Sequence, residues 1–291
     1  MSAKSRAVSA RPAILRWLAW LARLNFRRKI KRQIATYCSR VVHHTYGGHE
    51  LAIALEDPVA EDWYDHDWPL TPELECLAGS RLVQGARVFD LGAHQCVVAL
   101  MLSKLVGPGG QVVALEAERH NFEVSVRNRD LNAAANLEVV HAAAAANEGW
   151  LHFTGGLNGV VAKSGRIGRT RVPALSVDRL AETYGPPGVV FVDVEGYELE
   201  VLNGAQRTLA RGETDFFVEV HVGYGLEALG GSAASVLDRF DPGRFRRLVS
   251  PARGELEHYE FDESEEHLEV LGDRFFLIAL ARRRNPVSGS A

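Results

Sequence analysis

The sequence has few cysteines and no long apolar segment. Its three cysteines are far apart and form no CxxC pair; they are Cys38, Cys76 and Cys96. This spacing argues against a disulfide framework and a zinc ribbon, and it favours a reducing compartment such as the cytoplasm. In the apolar N-terminal part the longest uninterrupted run covers only residues 17–22. A helix that spans a bilayer needs about 20 apolar residues, so this run is too short.

Acidic residues are absent from the first part of the chain. Residues 1–49 contain 11 Lys and Arg and no Asp or Glu, which leaves a net charge of −15 for the rest. Residues 11–37 predict a basic amphipathic helix in which Ile14, Leu18 and Leu21 share one face. One interpretation is peripheral contact with the anionic inner face of a membrane. The other is a helix packed on the body of the protein or at a homodimer contact. The acidic body argues against nucleic acid as a partner, because phosphate binding needs clustered Lys and Arg.

Strands and helices alternate through the body of the chain. Predicted strands cover residues 87–90, 111–115, 137–141, 189–193, 216–222, 246–250 and 274–280. Predicted helices cover residues 71–86, 96–106, 119–132, 176–185 and 197–212. Residues 50–70 indicate one or two strands and a loop, and residues 148–174 indicate a hairpin or loop over the sheet. Such alternation predicts crossover units and a mostly parallel α/β sheet.

Polar residues end several of these strands. They are Asp90, Glu116, Asp193, Glu195, Glu219 and His221. Ligands of open parallel sheets bind outside the carboxyl ends of the strands, so these residues are the candidates for a functional site.

The stretch VFDLGAHQCV at residues 88–97 joins the first of these strands to a helix. Gly92 permits close backbone approach to a ligand, and the amides of residues 94–96 open the helix N-terminus. Asp90 would repel a pyrophosphate and attract a cationic group, which favours S-adenosylmethionine over a dinucleotide. A plain strand–helix turn with Asp90 as a cap is the structural alternative. Glu116 stands where an acidic residue binds ribose hydroxyls in nucleotide folds, which alone does not separate S-adenosylmethionine from NAD.

Two later strands carry paired polar groups. The stretch VVFVDVEGYELEVLNGA at residues 189–205 brings Asp193 and Glu195 to a strand end, where carboxylates are costly to bury without partners. Glu219 and His221 project to one face of their strand. The structural alternatives are a helix-capping Glu195, an Asp193 paired with a base, and a core histidine with its hydrogen bonds satisfied.

Together these motifs resemble the FkbM family of S-adenosylmethionine-dependent methyltransferases. The resemblance rests on VFDLGAHQC, VVALEA, VDVEGYELEVLNGA and FVEVH, with WYDHDWPLTPELE at residues 63–75 as a lead-in. It implies a class I methyltransferase, Rossmann-like α/β fold with a seven-stranded, mostly parallel sheet in the order 3-2-1-4-5-7-6 and helices on both faces. The last strand is expected to be antiparallel. We expect the chain to be divided into an arm (1–48), a methyltransferase domain (49–284) and a disordered tail (285–291).

Two positions depart from the family pattern. Cys96 stands where the family has Gly, and we expect it to fit with a negative φ in a first helical turn. Phe191 stands where the family has Lys, so no role of that Lys is carried over.

The predicted site follows from these residues. We expect Asp90, Gly92, Ala93 and His94 along the amino-acid portion of S-adenosylmethionine and Glu116 at its ribose. Further cofactor contacts are predicted at Ala117, Asn121, Ala142, Ala143 and Asp193. His221 is the first choice for the base that deprotonates a hydroxyl acceptor, and Asp193 is the second. Glu195 and Glu219 are expected to orient the substrate or the imidazole. We predict no metal, with Mg²⁺ held by the acidic cluster as the alternative.

The predicted function is O-methylation of a hydroxyl on a sugar, a glycan or a natural product, in the cytoplasm. An NAD-dependent oxidoreductase is one alternative, although Asp90 and the lack of a Tyr-x-x-x-Lys pair count against it. A catalytically silent nucleotide-binding or membrane-associated module is the other.

Overall fold

The fold is described from a computed structural model of the 291-residue chain. It describes residues 28–30, 32–154, 160–161, 170–223, 225–251 and 272–282. Most of the predicted arm helix and the whole predicted tail lie outside these residues. Residues 28–30 and 32–36 are helical and are labelled α1. No helix in the described part of the chain is both long and apolar enough to cross a bilayer.

The strands of the described chain begin with a hairpin and continue into the body. They are β1 (Arg40–Tyr46), β2 (His49–Leu55), β3 (Arg87–Leu91), β4 (Gln111–Glu116), β5 (Leu137–His141), β6 (Ala143–Ala144), β7 (Gly149–Thr154), β8 (Val160–Val161), β9 (Thr170–Leu175), β10 (Val189–Val192), β11 (Asp215–His221), β12 (Phe245–Pro251) and β13 (Arg274–Ala281).

Helices alternate with these strands. After α1 they are α2 (Pro58–Tyr64), α3 (Pro72–Ala78), α4 (Val97–Val106), α5 (Arg119–Leu131), α6 (Val177–Tyr184), α7 (Glu198–Asn203), α8 (Gln206–Arg211) and α9 (Ala233–Leu237).

Seven strands form the central sheet, in the order β12-β13-β11-β10-β3-β4-β5. With β3 counted as the first strand, this is the expected order 3-2-1-4-5-7-6. Strand β13 pairs antiparallel with both of its neighbours, and the other neighbouring pairs are parallel. The predicted α/β fold class and its topology are therefore confirmed.

Apolar side chains on the two faces of the sheet form two cores. Val88 faces a core that includes α3, α4 and the β1–β2 hairpin. Its neighbour Phe89 faces a second core on α6 to α9. Adjacent residues of a strand point to opposite faces, so a strand covered by helices on both sides must be apolar at every position, as β3 and β10 largely are.

The β1–β2 hairpin packs on the body. Tyr46 at its end is fully buried, and its hydroxyl donates to the backbone oxygen of Tyr64 in α2. Helix α2 begins at Asp57, whose side chain accepts from the amides of Val59 and Ala60. Residues 40–46 were assigned to the arm by the sequence. We propose instead that the globular body starts before β1.

Three predicted elements differ from the structure. Helix 71–86 is shorter and ends at Ala78. Residues 50–70 contain a helix, α2, beside the predicted strand. Helix 197–212 is divided, because the carbonyl of Gly204 accepts from the amide of Asp178 rather than continuing the helix. The Asp178 carboxylate then accepts from the amides of residues 207 and 208, which starts α8. The predicted hairpin over 148–174 is present as β7 and β9.

Candidate active site

A pocket opens at the carboxyl ends of β3, β4 and β10. Eight of the ten predicted cofactor residues line it: Gly92, His94, Glu116, Ala117, Asn121, Ala142, Ala143 and Asp193. The other lining residues are Trp63, Leu115, Ala144, Phe153, Val194, Glu195 and Tyr197. The structure thus brings residues from distant parts of the sequence to the edge of the sheet where ligands of such folds bind.

Asp90 and Ala93 do not line this pocket. Asp90 is buried behind the loop, where its Oδ2 has no hydrogen-bond partner among the described residues. Burial raises the pKa of Asp90 to about 7, because a charged carboxylate is poorly solvated there. Burial therefore opposes the negative charge with which Asp90 would attract a cation. That attraction stays a prediction.

The loop after β3 has a left-handed backbone at several residues. Gly92 has a φ of 91°, and the amides of Gly92 and Ala93 both donate to the carbonyl of Leu115 at 3.0 Å. The expected negative φ at Cys96 is wrong, because its φ is 64°. His94 is also left-handed, with a φ of 47°. Each such residue other than Gly costs roughly 1–2 kcal/mol, so the fold maintains this loop against local preference.

His94 contacts the lead-in helix. Its Nδ1 lies 2.7 Å from the hydroxyl of Tyr64, and its ring centroid is 5.0 Å from that of Trp63. Burial lowers the pKa of His94 to about 4, so the ring is neutral near pH 7. Its Nε2 is buried and has no hydrogen-bond partner in the part of the chain that is described.

The ribose and adenosine candidates lie on the other side of the pocket. Glu116 ends β4, and one of its oxygens accepts from the amide of Glu118 at 2.7 Å. Burial raises the pKa of Glu116 to about 8. Asn121 is buried at the start of α5 and accepts from the side chain of Gln95. The Gln95 amide also donates to Asp57, which ties the pocket loop to α2.

The four predicted catalytic residues meet at the β10 and β11 end of the pocket. The Nε2 of His221 lies 3.4 Å from Glu219, 3.6 Å from Glu195 and 3.9 Å from Asp193. Its Nδ1 lies 2.7 Å from Glu198. Burial alone would lower the pKa of His221, but hydrogen bonds to Glu198 and Glu219 raise it to about 11. The histidine is therefore an imidazolium near neutral pH.

The pKa values of two surrounding carboxylates are raised as well. Enclosure by the pocket wall, together with the negative charge of Glu219, raises the pKa of Asp193, although its side chain is about half exposed at the pocket. Burial also raises the pKa of Glu195. Arg274 contacts Glu219 at 3.2 Å and offsets part of this charge. Glu195 does not cap α7, because Tyr197 occupies that position and Glu195 has a left-handed φ of 50°.

Glu198 is a further residue of this cluster, and no role is predicted for it from the sequence. It is fully buried, and the same oxygen that contacts His221 accepts from the amide of Gly196 at 2.8 Å. The signal was present, because Glu198 is the second glutamate of the DVEG-x-E motif. Trp63 was visible only as part of the lead-in, and no sequence signal identified Phe153, Val194 or Tyr197.

Three of these groups have the donor set of a cation site. Donor atoms of Asp193, Glu219 and His221 lie within 4.8 Å of one another. The alternative in which Mg²⁺ is held here therefore has a location, while the absence of a metal stays a prediction.

Phe191, at the position of the family lysine, belongs to an aromatic row across the sheet. Its ring centroid is 5.1 Å from that of Phe217, which is 5.7 Å from that of Phe276. Apolar packing therefore surrounds this position, where the resemblance leads us to expect Lys.

A family model and several solved structures are similar to this chain. The family model described as the methyltransferase FkbM domain matches residues 90–275. A methyltransferase FkbM from Methylobacillus flagellatus has 17% identity and a TM-score of 0.41, and the match covers 66% of this chain and 43% of that chain. The chain thus spans less than half the length of that structure. An S-adenosylmethionine-dependent O-methyltransferase from Thermotoga maritima has 12% identity and a TM-score of 0.41, with 84% and 79% coverage. A putative rRNA methylase from Clostridium thermocellum has 12% identity and a TM-score of 0.44, with 72% and 94% coverage. No curated protein matches the sequence.

The pocket suits the methyl donor that this family uses. A Cβ on Gly92 would overlap the backbone of Asp193, so glycine lets the ends of β3 and β10 pack closely at the edge of the pocket. The unpartnered Nε2 of His94 and the carboxyl of Glu116 offer hydrogen bonds on the same wall. The family model matches well over half of this chain, so the chain belongs to the FkbM family of S-adenosylmethionine-dependent methyltransferases.

Proposed function

We propose that the protein methylates a hydroxyl oxygen on a sugar, a glycan or a natural product. The observation that carries this proposal is the cluster of Asp193, Glu195, Glu219 and His221 at one end of the pocket. When bound, the donor supplies a methyl group activated by a sulfonium. A hydroxyl acceptor must lose a proton as it reacts, and a cluster of proton acceptors beside the pocket meets that need.

We propose Asp193 as the base. It lines the pocket, and its side chain is about half exposed there, so the hydroxyl of an acceptor can reach its carboxylate. His221 was the first choice from sequence. Its imidazolium has no free lone pair, so we propose that it holds Glu195 and Glu219 in place.

The acceptor that we propose is a small molecule or a glycan rather than a nucleic acid. None of the described lining residues is Lys or Arg, and Glu116, Asp193 and Glu195 are acidic. A polyanion would meet no counter-charge at this surface. RNA is therefore the contrasting acceptor in any test.

The decisive experiment combines donor carrying a ¹³C methyl group with a panel of hydroxyl-bearing sugars, glycans and natural products, and with RNA. We expect a methyl ether, identified by a through-bond NMR correlation across the ether oxygen. A methyl group found on nitrogen, carbon or RNA contradicts the proposal. Reduction of NAD by a hydroxyl substrate, seen by absorbance, would favour the oxidoreductase instead. Calorimetry with S-adenosylmethionine addresses the silent module, which predicts no heat of binding.

The arm has a separate proposal and test. We propose a cytoplasmic protein whose residues 11–37 contact the inner face of a membrane peripherally, with a homodimer contact as the alternative. Deletion of residues 1–40 should abolish binding to anionic liposomes, and unchanged binding would contradict the membrane contact. Sedimentation of the same two proteins tests the dimer.

A further inference from the structure

Tyr64 and His94 form a buried pair at the pocket wall. Tyr64 ends α2 and is 4% exposed, and its hydroxyl lies 2.7 Å from Nδ1 of His94. The backbone of Tyr64 is itself fixed, because its carbonyl accepts from the hydroxyl of Tyr46. The hairpin and lead-in helix, which precede the matched family domain, thus fix one side chain of the pocket.

The contact with Tyr64 selects one tautomer of His94. Burial raises the pKa of Tyr64 well above its usual range, so the phenol keeps its proton. A neutral imidazole has one nitrogen that accepts and one that donates. The proton of the Tyr64 hydroxyl needs an acceptor, and Nδ1 of His94 is the atom that the described chain places within hydrogen-bond distance. Tyr64 therefore donates and Nδ1 accepts. The imidazole proton is therefore on Nε2.

That Nε2–H group needs an acceptor. It is buried, without a hydrogen-bond partner among the described residues, and its side chain lines the pocket. Buried donors in folded proteins are nearly always satisfied, and an unsatisfied one in a pocket wall indicates a group that a ligand completes.

The chemistry of S-adenosylmethionine indicates which of its groups accepts this hydrogen bond. The amino-acid portion of S-adenosylmethionine carries an ammonium, which can only donate hydrogen bonds, and a carboxylate, which can only accept them. The described lining residues include no Lys or Arg that would pair with the carboxylate. Glu116, which is predicted at the ribose, and the other acidic lining residues, Asp193 and Glu195, are not suited to bind a carboxylate. Neutral donors therefore remain for the carboxylate, and among the lining residues Nε2 of His94 is a buried one without a hydrogen-bond partner in the described chain.

We propose that Nε2–H of His94 binds the carboxylate of the donor, and that Tyr64 is the positioning residue that fixes this tautomer. The inference rests on binding of S-adenosylmethionine in this pocket, as the proposed function does. It adds the side chain by which the protein recognises the carboxylate of S-adenosylmethionine.

Calorimetry with S-adenosylmethionine and with decarboxylated S-adenosylmethionine tests the inference. The second ligand keeps the sulfonium and the ammonium and lacks only the carboxylate. We expect wild type to prefer the complete donor by at least about tenfold. His94→Ala should reduce this preference towards unity by weakening only the complete donor, and His94→Asn, which keeps an N–H donor, should restore part of it. Tyr64→Phe should give an intermediate preference.

A second measurement separates positioning by Tyr64 from a merely structural role. The ¹⁵N shifts of the His94 ring in ligand-free protein should show Nε2–H in wild type and a mixture of tautomers in Tyr64→Phe. Tyr184→Phe is the matched control, because its hydroxyl contacts Glu138 and it does not line the pocket. Both readouts should be unchanged in that variant.

The failures are distinguishable. If wild type binds both ligands equally, or if His94→Ala keeps the wild-type preference, the inference is wrong while the proposed function stands. A wild-type Nδ1–H tautomer would also overturn it. If neither ligand binds wild type, donor binding itself fails and the proposed function fails with it.

Discussion

The backbone carbonyl oxygen of Asp193 fills the space that a Cβ on Gly92 would need. The amide of Asp193 also donates to the carbonyl of Leu91 at 3.0 Å, so the ends of β3 and β10 are held together at this point. A glycine that lines the pocket therefore lies directly against the residue that we propose as the base.

Gly92→Ala should weaken donor binding by about 100-fold or more, because the contact is with backbone and cannot be relieved by a rotamer change. The left-handed φ of 91° adds a conformational cost. Gly85→Ala is the matched control. Gly85 has a φ of 82°, but no atom lies within 4 Å of its Cβ position, so this variant should lose only stability, by about 1 kcal/mol. Calorimetry and urea unfolding separate the two effects. Wild-type donor affinity in Gly92→Ala would show that the loop yields at no cost.

The sheet could be predicted from sequence because its strands are buried on both faces. Strands such as β10 are continuous apolar runs, and polar residues mark their carboxyl ends. Those ends meet at one edge of a parallel sheet, so the strand pattern also predicts most of the pocket. The order of the strands came from the resemblance to a family.

Other features depend on contacts between distant residues. Trp63 lines the pocket and Tyr64 contacts His94. Both lie on α2, which is capped by Asp57, and Asp57 also accepts from Gln95 in the loop after β3. The break between α7 and α8 depends on Asp178, about 30 residues earlier. The left-handed φ of Cys96 conflicts with its local preference and is imposed by tertiary packing. None of these contacts has a periodic signal in the sequence.

Asp193→Asn should lower kcat by about 10²–10⁴-fold, because the amide cannot accept the proton of the acceptor hydroxyl. Donor affinity should change far less, since the side chain keeps its shape. Glu195→Gln is the comparison, because Glu195 lines the same end of the pocket and should cost less in kcat if it only orients the acceptor. Single-turnover methyl transfer with a saturating donor gives both values. An Asp193→Asn variant with the larger kcat of the two would assign the base to Glu195.

The backbone at Cys96 predicts a reversal of the usual order of stability. Ala is normally more stable than Gly in a helical turn by about 0.5–1 kcal/mol. With a φ of 64°, Gly escapes the left-handed cost that Ala has to meet. Urea unfolding should therefore show Cys96→Gly to be more stable than Cys96→Ala, by up to about 1 kcal/mol. The usual order would mean that the φ at this position is negative in solution.

The Asp57–His120 pair should make stability depend on pH. Their side chains lie 2.9 Å apart, with Asp57 fully buried. Burial opposes both charges, yet the hydrogen bond between them raises the pKa of His120 and lowers that of Asp57. The His120 contribution is complete below its unfolded pKa of about 6.5 and is lost as pH rises through the folded value. The Asp57 contribution is present above about pH 3.9 and is lost as pH falls through the lowered folded value.

Both contributions are therefore present together between about pH 4 and pH 6.5. His120→Gln should destabilise the protein by roughly 1.5–3 kcal/mol at pH 5.5, and by less at pH 8.5 where the histidine is less charged. Urea unfolding at the two pH values measures the difference, with the exposed His43→Gln as the control that should show neither effect. A loss that is equal at both pH values would mean that His120 acts through a neutral hydrogen bond alone. In that case the anchoring of α2, and with it of Tyr64 at the pocket, would not respond to pH in this range.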